Sequence, residues 1–99
     1  MAYNKCIFIG NMAGKKMMQT KAGKSMLLFT IRTWDEEDNA EHIDCVSYGK
    51  QAEIIDRDFP DKRQIFLECK AHTYKTQDGK KATQFVVVKF EYCSDRMTA

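Results

Sequence analysis

The sequence predicts an all-β domain: a five-stranded Greek-key barrel with one short helix between its third and fourth strands. Three observations carry this expectation. β-like apolar runs recur along all 99 residues, one stretch alone has helical spacing, and Gly, Asp and Asn punctuate the runs. The length is that of one domain with a single core, spanning residues 1–99, with a core of about 3–92 and a short C-terminal extension, 93–99.

The first run, "YNKCIFIGN", is apolar on both faces, with Ile7 and Ile9 on one side and Cys6 and Phe8 on the other. "KKMMQT" reads as a short second piece, and "KAGK" (21–24) as a turn. In "SMLLFTIRTW" one parity gives Leu27, Phe29 and Ile31, the expected core face. The other gives Met26, Leu28, Thr30, Arg32 and Trp34. The acidic segment "DEEDNAE" reads as a hairpin tip, and "HIDCVSY" returns from it as a strand. Ala52, Ile55 and Phe59 then recur at helical spacing between Lys50 and Phe59, and Pro60-Asp61 ends the helix. "RQIFLECKAHTYKT" is a long strand, Asp78-Gly79 signals a tight hairpin, and "KATQFVVVKFEY" comes back from it. An SH3-like barrel also has five short strands. A helix between strands three and four favours the OB-fold.

Composition narrows the function. Hydrophobic residues make up 43% and charged residues 30%, which fits a soluble globular chain. No apolar run approaches the ~20 residues that span a bilayer, and the N-terminal apolar stretch is too short for a signal peptide. A cytoplasmic location is expected. Cys6, Cys45, Cys69 and Cys93 form no C-x-x-C pair and have no His at ligand spacing, so they read as core or near-core thiols, and no metal or cofactor is expected. Residues 35–41 hold five acids; without them, 16 bases face nine acids. A body this basic attracts a polyanion, with the acidic tip turned away from it. No serine has a nucleophile motif around it, and the acids cluster only in the hairpin, so the sequence argues against an enzyme.

Gly49-Lys50 superficially suggests a phosphate-binding loop. That loop needs a Gly five residues before the pair and Ser or Thr after it. Here those positions hold Asp44 and Gln51. What remains is a strand that ends on an aromatic, a glycine corner and a helix.

In order along the chain, "NKCIFIGN", "GK", "LFTIRT", "VSYGKQAEII", "IFLE" and "FVVV" resemble the bacterial single-stranded DNA-binding protein family from Asn4 to about Tyr92. The resemblance implies sequence-independent binding of single-stranded DNA during replication, recombination or repair, by base stacking on aromatics and phosphate contacts from Lys and Arg. Tyr48 stands at a stacking position usually held by Phe, and Lys50 follows as the family lysine near phosphates. His42 replaces a family Trp at the start of the third strand. Thr76 stands where the fourth strand usually has a Trp, but Tyr74 lies two residues earlier, and Lys75 is kept. Trp34 lies about three residues before the family Trp of the second strand. Arg32, His72, Lys80 and Lys81 complete the expected binding set. The chain ends at "CSDRMTA" without the acidic tip that recruits partners in the family, so tail-mediated recruitment is not expected; a shortened chain or a phage or mobile-element origin would each explain this.

Plainer readings stand beside these. Tyr48 would close the barrel, Trp34 would be core, Tyr74 a cross-strand partner, His72 a sheet filler, and Lys75, Lys80 and Lys81 solvated turn residues. Outward Met26 and Leu28 suggest an apolar surface covered by another subunit, in a homotetramer or, as second choice, a dimer. The alternative function is that of a small primosomal OB-fold protein, which binds single strands and bridges replication-restart partners.

Overall fold

The computed structural model describes residues 4–93, so most of the C-terminal extension lies outside the described residues. Its elements are β1 (Cys6–Gln19), β2 (Ser25–Trp34), β3 (Ala40–Tyr48), α1 (Gly49–Asp58), β4 (Gln64–Lys75) and β5 (Lys81–Tyr92). The strands close into a barrel in the order β1-β2-β3-β5-β4, antiparallel except where β3 meets β5. The expected barrel and helix are both present. Among the described residues no helix is long and apolar enough to cross a membrane.

The first strand corrects the sequence reading. Its two expected pieces are one strand, because β1 changes partners midway. Cys6 to Asn11 pair with β4, and Asn11 to Gln19 pair with β2, with an irregularity between Met12 and Lys15. A bulge of this kind bends a strand and increases its twist, as barrel closure requires. Gly10 sits at the crossing. A Cβ there would come within 2.8 Å of the Arg32 carbonyl oxygen and 3.0 Å of Thr33 Cγ2. Gly10→Ala therefore forces β1 and β2 apart, and about 1–3 kcal/mol of stability is lost. Urea denaturation checks this; an unchanged midpoint would mean that the crossing is soft.

Leu27, Phe29 and Ile31 face inward as expected, and join Met12, Cys45, Ala52, Ile55, Phe59, Ile65, Leu67, Cys69 and Val87 in one core. On β1, Cys6 and Phe8 pack against that core, whereas Ile7 and Ile9 point out and stay 57% and 54% exposed. The contact with Cys69 and burial push the Cys45 thiol upward, so it remains protonated and inert.

α1 begins one residue earlier than expected and closes one end of the barrel. Tyr48 is still extended (φ −122°, ψ 152°), and Gly49 turns the corner with φ +69°. A side chain at that φ is strained. Gln51 fastens the helix to the barrel. Its side-chain oxygen accepts from the Ser47 hydroxyl (2.7 Å), and its amide donates to the Val88 carbonyl (3.2 Å). These bonds tie α1 to β3 and β5. At the other end, Lys15 Nζ donates to the carbonyls of Asp56 (2.5 Å) and Phe59 (3.2 Å), a cation on the negative helix terminus.

Candidate nucleic-acid interface

Three clusters hold the ten residues singled out in the sequence. The first is at the far end of the β2–β3 face. Trp34 is 47% exposed, which excludes a core role, and the Arg32 guanidinium lies 5.0 Å from its ring centroid. His42 pairs in register with Arg32. Directly beyond is the acidic hairpin, where Asp35 accepts from the backbone N–H groups of Asn39 (2.9 Å) and Glu37 (2.8 Å). Those bonds hold its carboxyl below the usual value. The acidic tip is thus a built loop beside Trp34, not turned away from the candidate interface as expected, because the β2–β3 hairpin that carries Trp34 ends in it.

The second cluster lies at the opposite end of the same face. Tyr48 pairs in register with Met26, as Ala40 does with Trp34. Eight residues of strand separate the two sites, or ~26 Å at 3.3 Å per residue. Tyr48 is 37% exposed, and Lys24 Nζ lies 5.9 Å from its ring centroid. Lys50, also exposed, stands in the first turn of α1, where free N–H groups and the helix dipole favour anions.

The third is the β4–β5 arm. His72 and Tyr74 stack along it with centroids 6.4 Å apart and planes 15° from parallel. Lys75 and Lys81 pair across its end, and Lys80 lies in the turn. That turn is held by Asp78, which accepts from the Thr76 hydroxyl and has its carboxyl lowered by that bond.

A groove of about 430 Å³ joins the arm to the β2–β3 face. Tyr74 lines one wall, with Leu28 and Thr30 opposite and Lys16 on β1 beside them. The fold thus brings Tyr74 to the β2–β3 face, but it keeps Trp34 and Tyr48 at separate ends. Sequence reasoning missed Lys16, Lys24 and Asp44 here. Lys16 was hidden because its outward direction depends on the bulge before it, and Lys24 because the ring it covers is 24 residues away in sequence. The side-chain groups supplied are aromatic faces, cations and a few hydrogen-bonding groups; among the described residues no cluster of His, Cys, Asp and Glu could hold a metal.

Among solved structures, the chain is similar to the SSB domain of a protein from Synechococcus sp., with a TM-score of 0.75 at 12% identity, covering 93% of this chain and 98% of that one. At that identity the likeness speaks for the fold. No curated protein matches. The model of the Single-strand binding protein family matches residues 3–92, which include the whole barrel. On that match the chain belongs to the single-strand binding protein family.

Proposed function

We propose that this protein coats single-stranded DNA without strict sequence readout and protects it during replication, recombination or repair. Family membership supplies the ligand class. The observation that carries the rest is the groove between the arm and the β2–β3 face, walled by Tyr74 and Lys16, on a face whose two ends carry the exposed rings of Trp34 and Tyr48 beside cations. An aromatic face stacks on any base, and lysines meet phosphates whatever the sequence. The strand runs past Tyr48, Lys24 and Lys50, through the groove by Lys16 and Tyr74, and on toward Arg32, His42 and Trp34. His72 and the arm lysines Lys75, Lys80 and Lys81 hold it from the other side.

Binding should release counterions and so weaken steeply with salt. A titration of oligo-dT at several salt concentrations measures the slope of log affinity against log salt. Lys75→Ala should lower that slope by about one unit or less. A flat line for the unmodified protein would remove the electrostatic part of the proposal.

Self-association, as a homotetramer or a dimer, is supported more by β1 than by Met26 and Leu28, which are half-buried. Ile7 and Ile9 leave apolar surface exposed, and among the described residues Cys6 to Gly10 pair only with β4 because β2 joins at Asn11. An exposed apolar strand with one unpaired edge is a site for another copy. Light scattering should find four subunits, or two, and Ile7→Lys with Ile9→Lys should give a monomer. A monomeric unmodified protein at micromolar concentration would contradict this.

A further inference from the structure

Asp44 is an anion in a groove assigned to a polyanion. It faces outward on β3, and its carboxylate accepts a hydrogen bond from the Thr30 hydroxyl (2.9 Å) across the β2–β3 pair. Among the described residues it forms no ion pair; the three present are Lys5–Glu68, Lys15–Asp56 and Arg57–Asp58. Thr30 occupies one lone pair of Oδ1, and the other acceptor sites of the carboxylate remain open to the groove. Tyr74 and Gln84 line the same groove.

A phosphate cannot rest against an unpaired carboxylate without a repulsive cost. A base edge can, provided it brings N–H donors. We infer that Asp44 makes this groove a base-selective subsite, which favours bases with an exocyclic amino group over thymine. This deepens the single-strand reading and rests on it. Cytosine presents N4–H₂ as a donor, the group that Asp accepts from in base recognition. Thymine presents O4 at that place, and its one edge donor, N3–H, is flanked by two carbonyl oxygens that the carboxylate repels. In a single strand these edges are free of a pairing partner. Tyr74 can then stack on the base that Asp44 reads, while Lys16 meets the backbone.

Oligo-dC and oligo-dT of equal length test this, because a homopolymer puts the same base against Asp44 in every binding register. Affinities are measured at pH 8 for the unmodified protein, Asp44→Asn and Asp44→Glu. The amide of Asp44→Asn still accepts from Thr30, and the position is exposed, so the barrel should fold. That variant should tighten binding to oligo-dT, through loss of repulsion, and shift the dC-to-dT affinity ratio toward dT by about 3- to 10-fold. Asp44→Glu keeps the charge but moves the acceptor, so it should lose part of the dC preference without the general gain in affinity. Equal changes on both homopolymers would show a repulsive charge and nothing more, and would overturn the subsite while leaving single-strand binding intact. If the unmodified protein binds neither homopolymer, the single-strand reading falls, and the subsite with it.

Discussion

Trp34→Ala should weaken binding to oligo-dT by roughly 1–3 kcal/mol, the usual range for one stacking platform. The indole is about half exposed at the end of β2, with the Arg32 guanidinium over its ring. A base on the free face would form a three-layer stack in which the cation stiffens the indole. Because the chain has a single Trp, intrinsic fluorescence should fall as the strand binds, with no second indole to dilute the signal. Trp34→Phe should recover part of the loss, since a smaller ring still stacks. Melting temperature should scarcely move in either variant. A large loss of stability with unchanged affinity of the folded fraction would remove Trp34 from the interface and leave Tyr48, Tyr74 and the lysines to carry binding.

The largest effect on stability should come from Phe59→Ala, at about 3–5 kcal/mol. Phe59 is fully buried at the C-terminal end of α1. It meets Phe90 edge-on at 5.8 Å, stacks on Tyr92 at 5.1 Å, and carries the Arg63 guanidinium 5.3 Å from its ring centroid. Its carbonyl accepts from Lys15. Removing the ring opens a cavity where the helix, β1 and β5 meet, and the surrounding strands are held by ladder bonds that limit their collapse. For a domain of this size the melting temperature should drop by roughly 15 °C or more. Calorimetry decides, and a shift of only a degree or two would mean that α1 is a loosely attached cover rather than part of the core.

Much of this architecture was legible because the deciding signals are local. Alternation placed Leu27, Phe29 and Ile31 inward and Trp34 outward, and helical spacing found Ala52, Ile55 and Phe59. The corner at Gly49 could be read from its neighbours: an aromatic strand end before it and a helix after it. Less legible was anything that depends on which strands meet. The continuity of β1 follows from its change of partner at Asn11, and no periodicity within β1 announces β4 on one side and β2 on the other. For the same reason both faces of "CIFIG" read as equally apolar, although one packs on the core and the other, with Ile7 and Ile9, is open. The site divides in the same way. Residue types at Trp34, Tyr48 and Tyr74 announced stacking, but their grouping into two ends and an arm comes from the closed barrel. In the sequence Asp44 served only to exclude a triphosphate loop; its place in the groove needed the arm to fold across the β2–β3 face.

Whether this face selects single strands is tested by a direct competition. A fluorescently labelled oligo-dT is bound to the protein at moderate salt and displaced by unlabelled DNA of one mixed sequence, supplied as a single strand or as the annealed duplex. Stacking on Trp34, Tyr48 and Tyr74 needs bases that are free of their partners, so the single strand should displace the label at far lower concentration than the duplex. Equal displacement by the two forms would show a basic surface that attracts phosphates of any kind, and would contradict the stacking interface.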